Sequence, residues 1–237
     1  SALYPLVPPF VAVVLLLSRL LIDFGYRFGL VDQPNERSSH SAIVPRVGGI
    51  SIFIPYLLLG LGLFVAKYEF VQTNLPYWVG LMAIVVLGTA DDRLDLGSKF
   101  KFFVQFGVAV YYVIYSGNYV DSLYGLFGIG AIPSWLGISL SVITVVYLIN
   151  AVNLIDGVDG LAAGTSLLSM YLFSVLMGGT EHFFTFAFVG IGLVIFMGFN
   201  FSRKKKVFMG DAGSLGLGFI LATMVMEFLN SGNGHIS

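Results

Sequence analysis

The stretch SWLGISLSVITVVYLINAV, residues 134–152, contains no charged side chain, and it is followed at once by the polar sequence NLIDGVDG, residues 153–160. A helix that crosses the hydrocarbon core of a bilayer needs roughly 20 mostly apolar residues. The first stretch therefore predicts a membrane-spanning helix. The second places amide and carboxylate side chains where that helix leaves the membrane.

The composition of the whole chain supports the same interpretation. Of its 237 residues, 57% are hydrophobic and 11% are charged, and the mean hydropathy is +0.90. Soluble domains are about 45–50% apolar and about 25% charged. A soluble, nucleic-acid-binding or disordered protein is therefore excluded. The absence of cysteine excludes a disulfide scaffold, a thiolate zinc site, an iron–sulfur cluster and a cysteine nucleophile.

Apolar stretches along the chain predict eight membrane-spanning helices. Two of these stretches, 75–90 and 102–116, are short for a bilayer, so we expect their helices to continue into the polar loop between them. No internal repeat or soluble domain boundary is visible in the sequence. The predicted fold is an all-α, polytopic membrane bundle that forms one domain over residues 1–237. The predicted spans are 3–22, 47–66, 75–90, 102–116, 134–152, 161–177, 183–201 and 212–229.

The distribution of charge predicts the orientation of the bundle. Ten of the twelve Lys and Arg residues fall in loops on one side, which the positive-inside rule assigns to the cytoplasm, with both termini outside. Nine of the thirteen acidic residues lie on that side as well, although acidic residues contribute little to the rule. The catalytic loops are therefore expected on the cytoplasmic face of the cytoplasmic (inner) membrane. The ten basic residues are Arg27, Arg37, Arg46, Arg93, Lys99, Lys101, Arg203, Lys204, Lys205 and Lys206.

The first polar segment on this side, residues 32–49, contains Arg37, His40 and Arg46 and ends on the pair Gly48-Gly49. Backbone N–H groups at the start of a helix, with basic side chains nearby, favour phosphate binding. An ordinary basic loop that only obeys the topology rule remains an alternative.

The second segment, residues 88–101, contains the adjacent acids Asp91 and Asp92 and the basic residues Lys99 and Lys101. Adjacent carboxylates at a membrane surface are unfavourable unless a cation neutralises them. Mg²⁺ prefers a few carboxylates together with substrate phosphates, and the two lysines would contact such phosphates. A solvated charged turn is the alternative.

The third segment places Asn150, Asn153, Asp156 and Asp159 three residues apart. If the segment is helical, these four side chains form one stripe. The glycines around them allow tight turns and the close approach of a ligand. A polar helix end without a further role is the alternative.

The fourth segment runs from Asn200 through the basic residues 203–206 to Phe208 and Asp211. The four basic residues also fit a topology signal or an anchor for lipid headgroups. Asp211 precedes Gly-Ser at the start of an apolar helix, so it is a candidate for chemistry. Helix capping by Asp211 or Ser214 is the alternative.

Together, the four segments resemble the signature blocks of the polyprenyl-phosphate N-acetylhexosamine-1-phosphate transferases. Asp91-Asp92, the stretch 150–164 and the stretch VFMGDAGS at 207–214 are similar to three of these blocks, in the family's order. Residues 32–49 fit the family's first cytoplasmic loop. The chain is more similar to the branch that uses UDP-N-acetylglucosamine than to the MurNAc-pentapeptide branch.

This resemblance implies a reaction, cofactor and partners. UDP-HexNAc, most simply UDP-GlcNAc, and polyprenyl (undecaprenyl) phosphate would give polyprenyl-diphosphate-HexNAc and UMP. Mg²⁺ would be required, with Mn²⁺ as an alternative. Such a reaction is the first membrane step of a cell-envelope glycan, such as a lipopolysaccharide O-antigen or a teichoic acid. Whether the protein forms a homodimer stays open.

The resemblance also implies roles for individual residues. Asp91, Asp92 and Asp156 would be catalytic, and Asp211, Asp91 and Asp92 would contact the metal. Whether Asp91 is a general base or only orients the acceptor stays open. Residues implied in substrate binding are Asn153, Asp159, Asn200, Phe208, Lys99, Lys101, Arg37 and His40.

The family continues beyond the helix that follows Asp211, through further spans and a histidine-rich loop, whereas this sequence stops at Ser237. We therefore expect an incomplete chain, and a catalytically inactive, abbreviated homologue is the alternative. A membrane transporter is the alternative from another functional class, because ionisable residues and glycine-broken helices also mark transport paths.

Overall fold

The structure is a computed structural model that describes residues 4–32 and 43–230. Over these residues the chain forms nine α-helices, two short strands and two 3₁₀ turns, at Tyr4–Leu6 and Leu126–Gly128. The two strands pair antiparallel, with Val31 opposite Pro45. The elements are α1 Val7–Phe28, β1 Val31–Asp32, β2 Val44–Pro45, α2 Gly48–Val65, α3 Glu69–Thr73, α4 Leu75–Leu94, α5 Ser98–Ser116, α6 Ser134–Ile155, α7 Leu161–Met177, α8 Thr180–Asn200 and α9 Gly210–Asn230.

Six helices in the described part of the chain are long and apolar enough to cross a membrane. The predicted all-α membrane bundle is therefore confirmed, but the prediction of eight spans is not supported. Helix α7 is apolar but has only 17 residues, and α5 begins with Lys99 and Lys101 in its first turn. The six candidate spans are Tyr4–Phe28, Gly48–Val65, Leu75–Leu94, Ser134–Ile155, His182–Asn200 and Gly210–Asn230.

The helices around the second motif segment extend as expected. Helix α4 continues to Leu94 and α5 starts at Ser98, so both short apolar stretches lengthen into the polar loop between them. The prediction of one helical stripe from Asn150 to Asp159 is wrong in its second half. Helix α6 ends at Ile155, and Asp156 and Asp159 lie in the turn before α7.

Helix α9 lies at the centre of the bundle, with 72% of its apolar window buried. Glycines let its neighbours approach its backbone. A Cβ atom on Gly88 of α4 would lie 2.5 Å from the Cα atom of Ala212, and one on Gly218 would lie 2.6 Å from the Cα atom of Ile149 in α6. These contacts fix the ends of α4 and α6 beside the start of α9.

The first and fourth motif segments are hydrogen-bonded to each other. The N–H of Phe208 donates to the carbonyl of Pro45 at 2.8 Å. The N–H groups of Gly48 and Gly49 donate to the carbonyls of Phe208 and Met209 at 3.0 and 2.8 Å. The expectation that these two N–H groups at the start of α2 bind phosphate is therefore wrong, because backbone carbonyls already occupy them.

Candidate active site

Side chains from three motif segments meet where α4 and α6 end and α9 begins. Asp91 and Asp92 lie in the last turn of α4, Asn153 in the last turn of α6 and Asp211 in the first turn of α9. The glycine contacts of α9 with α4 and α6 hold these helix ends together. Residues far apart in the sequence therefore form one polar cluster.

Lys101 links the two acidic helix ends. Its Nζ lies 2.8 Å from Oδ2 of Asp91 and 3.0 Å from Oδ2 of Asp211. Partial desolvation lowers the pKa of Lys101, but its hydrogen bonds to Asp91 and Asp211 outweigh this effect and raise the pKa above its usual value. Lys101 is therefore a charged ammonium group held between two carboxylates.

Both oxygens of Asp211 accept hydrogen bonds from side chains. Lys101 donates to Oδ2, and Nδ2 of Asn153 donates to Oδ1 at 3.1 Å. The same Nδ2 lies 2.8 Å from Oγ of Ser214. Asn153 therefore orients Asp211 towards the end of α4.

Asp92 is 7% exposed, and its carboxylate accepts the first N–H groups of α9. The N–H of Asp211 donates to Oδ1 at 2.8 Å, and the N–H of Ala212 donates to Oδ2 at 3.1 Å. Asp92 therefore provides the cap for these two groups, which the sequence interpretation had considered for Asp211 or Ser214.

A cleft of about 740 Å³ opens beside this cluster, a size suited to a small-molecule ligand. Asp92, Asp156, Asp159 and Asp211 all line it, together with Asn153. Burial, with a further contribution from the negative charges of Asp211, Asp92 and Asp159, raises the pKa of Asp156 from 3.8 to about 8. Asp156 is therefore a partly buried carboxyl group that holds its proton to unusually high pH and lies among other carboxylates.

A second part of the cleft is lined by Asp159, Asn200 and Phe208, and Lys206 lies beside these residues. Lys206 pairs with Asp159, and its Nζ lies 5.3 Å from the ring centre of Phe208. Nδ2 of Asn200 donates to the carbonyl of Val207 at 2.9 Å and to Asp159 at 3.4 Å. The Oδ1 atom of Asn200 is buried without a hydrogen-bond partner among the described residues, so its acceptor capacity is unused there.

Of the four basic residues predicted to contact phosphate, only Lys101 is found in the acidic cluster within the described part of the chain. Lys101 lies in the acidic cluster, whereas Lys99 is exposed two residues earlier in α5. Arg37 and His40 lie outside the described residues. Three further residues belong to the site, although no role in catalysis or substrate binding was predicted for them: Lys206, and Asp32 and Arg46, which form an ion pair and line the cleft. Their sequence signal is their position inside the polar segments 32–49 and 200–211.

The donor atoms of the cleft fit Mg²⁺ bound together with a substrate phosphate. No three His, Asp or Glu side chains among the described residues are arranged to hold a metal by themselves. Mg²⁺ is usually held by one or two carboxylates, and phosphates and water supply the other oxygens. Asp211 and Asp156 both line the cleft and supply hard oxygen donors of the kind that Mg²⁺ prefers.

The described part of the chain is therefore a membrane helical bundle with a polar cleft at one end. The profile of the family described as "Glycosyl transferase family 4" matches residues 75–229, which include α4, α6, α9 and most of the cleft. The chain belongs to this family. The predicted resemblance is thereby confirmed.

Curated relatives agree with this assignment. The chain is 36% identical over 220 residues to a probable undecaprenyl-phosphate N-acetylglucosaminyl 1-phosphate transferase of Bacillus subtilis, covering 89% of this chain and 59% of the relative. It is 32% and 31% identical to undecaprenyl-phosphate alpha-N-acetylglucosaminyl 1-phosphate transferases of Yersinia pestis and Escherichia coli K12. These matches cover 88% and 85% of this chain and 58% and 56% of the relatives. The chain therefore spans somewhat more than half the length of these relatives.

Proposed function

We propose that the protein transfers HexNAc-1-phosphate from a UDP-HexNAc to polyprenyl phosphate, giving polyprenyl-diphosphate-HexNAc and UMP. The observation that carries the proposal is the Asp91–Lys101–Asp211 cluster beside the cleft, at the end of a membrane bundle. This position suits the meeting of a lipid-bound acceptor with a soluble nucleotide sugar. Membership of the family supports the same class of reaction.

The proposed reaction is an attack by an oxygen of the lipid phosphate on the β-phosphorus of the UDP-sugar. The bond between the β-phosphorus and the bridging oxygen of UMP breaks, and UMP leaves with that oxygen. Phosphoryl transfer requires mainly positioning and neutralisation of charge from the protein. Lys101 supplies a positive charge beside the cleft, and the carboxylate of Asp91 is placed to orient it or to accept a proton.

We assign the site of the required Mg²⁺, or Mn²⁺, to the cleft beside Asp211 and Asp156, within reach of the acids at the end of α4. When bound, the metal would neutralise the negative charge of the diphosphate. Lys99, Arg37 and His40 remain proposed contacts to phosphate groups. Asp91 remains a proposed catalytic residue, and Asp92 remains a proposed residue of the site.

The uridine is proposed to bind against Phe208, Asn200 and Asp159. Uracil has an aromatic face and one imide N–H, and the Oδ1 acceptor of Asn200, which has no partner among the described residues, is of the type that would pair with that N–H after a small side-chain movement. Phe208 lines the same cleft and offers an aromatic ring for stacking. Asn153 lines the cleft and bonds Asp211, so it would lie near the diphosphate.

We infer GlcNAc as the sugar and undecaprenyl phosphate as the acceptor. This inference is supported by the names of the relatives from three bacteria, which contain both undecaprenyl phosphate and N-acetylglucosaminyl. In a transfer assay, protein purified in detergent should release UMP from UDP-GlcNAc only when both undecaprenyl phosphate and Mg²⁺ are present. UMP release from UDP-GalNAc at an equal rate would overturn the assignment of the sugar. Uptake without UMP release would favour a transporter, and neither activity would favour an inactive homologue.

We propose that the cleft faces the cytoplasm from the cytoplasmic membrane, in agreement with the bias of Lys and Arg. Ser98 lies at the cleft end of the bundle and Thr73 at the other, and both are exposed. The chain has no native cysteine, so single-cysteine variants need no background removal. In intact cells, Thr73→Cys should react with a membrane-impermeant maleimide and Ser98→Cys should react only after permeabilisation. The reverse pattern would place the cleft outside, away from a cytoplasmic nucleotide sugar.

A further inference from the structure

We propose that Asp92 is a positioning residue that fixes the first turn of α9, and with it Asp211, rather than a ligand of the metal. The catalytic part of this inference rests on the proposed transferase function. Its structural part concerns only the described junction between α4 and α9. The two adjacent aspartates of the second motif would then have different tasks.

The geometry of the carboxylate carries the inference. Oδ1 accepts the N–H of Asp211 at 2.8 Å, and Oδ2 accepts the N–H of Ala212 at 3.1 Å. The first N–H groups of a helix have no partner within the helix, and an acidic side chain is well suited to satisfy them. Asp92 supplies this cap although it lies 119 positions before Asp211 in the sequence.

Two glycines make the close approach possible. Gly210 has φ +73°, and a Cβ atom on it would lie 2.6 Å from Oδ2 of Asp92. Gly88 lies about one turn before Asp92 in α4, where a Cβ atom would lie 2.5 Å from the Cα atom of Ala212. A side chain at either position would push the carboxylate away from the N–H groups that it caps.

The partners of Asp92 differ in kind from those of Asp211. Asp211 is bonded by the side chains of Lys101 and Asn153, which can rotate away when a cation or phosphate arrives. The partners of Asp92 are backbone N–H groups, which move only if the first turn of α9 unwinds. Asp92 is also 7% exposed. The carboxylate oxygens of Asp92 are therefore occupied by the backbone of α9, whereas the oxygens of Asp211 can exchange their side-chain partners for a ligand.

Hydrogen–deuterium exchange of the segment 207–215, without nucleotide or metal, tests the structural part. Asn keeps one carbonyl oxygen, so Asp92→Asn should speed exchange at the start of α9 by about tenfold, and Asp92→Ala, which keeps none, by more. The matched control is Asp95→Asn in the same turn. Asp95 is exposed and has φ 49°, a conformation that Asn accepts readily, so this variant should exchange like the wild type.

Enzyme kinetics test the catalytic part. Asp92→Asn should lower kcat by about tenfold or more and leave the Mg²⁺ concentration for half-maximal rate unchanged, whereas Asp211→Asn should raise that concentration. Gly210→Ala should reproduce the faster exchange of Asp92→Asn without altering any carboxylate.

Wild-type exchange in Asp92→Asn, together with a tenfold higher Mg²⁺ requirement, would overturn the proposal and make Asp92 a ligand. If Asp92→Ala does not fold, Asp92→Asn and Gly210→Ala still decide between the two roles. If the wild-type protein releases no UMP at all, the transferase proposal fails, while the exchange experiment still decides whether Asp92 holds α9.

Discussion

The two ends of α9 each carry one acidic residue, and the two residues have very different surroundings. Asp211 and Glu227 are about 24 Å apart along the helix, at 1.5 Å per residue. Asp211 lines the cleft of about 740 Å³. Glu227 lines a cavity of only about 40 Å³ inside the other end of the bundle.

Polar side chains around Glu227 form hydrogen bonds and an ion-pair contact with one another. His182 Nδ1 lies 3.6 Å from Oε2 of Glu227, and the hydroxyl of Tyr112 lies 3.5 Å from Oε1. Nearby, the hydroxyl of Tyr56 lies 3.1 Å from that of Tyr77 and 3.0 Å from Oγ1 of Thr185. The cavity has room for little more than a few water molecules.

The difference separates two uses of polar groups in a membrane bundle. At the Glu227 end, the polar side chains join α2, α4, α5, α8 and α9 inside the bundle, and space for a ligand is small. At the Asp211 end, Asp92, Asp156, Asp211 and Asn153 line an open cleft, and Lys101 lies beside it, bonded to Asp211. An ionisable residue of this bundle is thus a stronger functional candidate where it lies at or beside such an open volume.

The largest expected effect comes from removing the negative charge at each end in turn. Asp211→Asn should lower UMP release by about 100- to 1000-fold, because the carboxylate proposed to hold the cation that neutralises the diphosphate is lost. Glu227→Gln should leave the rate within about threefold of the wild type and lower the melting temperature, because the pair with His182 is broken.

Both variants would be assayed in the same detergent at saturating Mg²⁺ and again at low Mg²⁺. A size-exclusion profile that matches the wild type shows that Asp211→Asn is folded. If Glu227→Gln loses as much activity as Asp211→Asn while remaining folded, the functional distinction between the two ends fails.

The next effect concerns how glycines pack at the two ends. A Cβ atom on Gly49 would lie 2.0 Å from the backbone nitrogen of Gly213, whereas one on Gly80 would lie 2.5 Å from the ring of Phe219. Overpacking a core costs about 1–3 kcal/mol, and the cost is higher where no side chain can move aside. Gly49→Ala should therefore destabilise the protein by about 3 kcal/mol or more, and Gly80→Ala by less.

Thermal unfolding in detergent, monitored by size-exclusion chromatography, measures the difference in stability between Gly49→Ala and Gly80→Ala. Gly62→Ala is the control, because no atom lies within 4 Å of its added Cβ atom. It should melt at or slightly above the wild-type temperature, since Ala favours the helix. A larger loss for Gly80→Ala than for Gly49→Ala would contradict the tighter backbone contact at the cleft end.

Most of the helices could be predicted because membrane spans are read from length and hydropathy alone. The same local criterion explains the errors. It counted 102–116 and 161–177 as spans, although Lys99 and Lys101 begin α5 and α7 has only 17 residues. Spacing alone likewise extended a polar stripe to Asp159, whereas the glycine-rich turn at 156–160 ends α6.

The residue types of the site could also be predicted, but their pairings could not. Lys101 and Asp211 are 110 residues apart, and their contact depends on glycines that let α4 and α9 meet. No local pattern predicts that Asp92 caps α9 or that the N–H of Gly48 donates to the carbonyl of Phe208. The roles in catalysis and metal binding that the resemblance implied stay predictions.

A smaller effect is expected on nucleotide affinity. Phe208→Ala and Asp159→Ala should each weaken UMP binding by about 5- to 150-fold, because a stacking or charge-assisted contact is worth about 1–3 kcal/mol. Isothermal titration calorimetry with UMP measures this. Phe70→Ala, which alters the small cavity at the other end of the bundle, is the control and should leave the affinity unchanged. Unchanged affinity in both cleft variants would remove these residues from the nucleotide pocket.

A further effect is expected on stability as a function of pH, and it concerns Asp156. Burial and the neighbouring carboxylates raise its pKa from 3.8 to about 8 in the folded protein. Between these two values the folded state holds a proton that the unfolded state has lost. Stability therefore falls as pH rises from about 4 to about 8, and it does not change further from this source above pH 8. Asp156→Asn cannot ionise, so it removes this loss.

The melting temperature of Asp156→Asn relative to the wild type should therefore rise from about pH 5 to about pH 8 and then stay constant. Taking the difference between the two proteins cancels every group that titrates equally in both. If the difference is flat instead, the pKa of Asp156 is not raised in the folded protein. The burial of this carboxyl group, and the effect of the neighbouring negative charges on it, would then be contradicted.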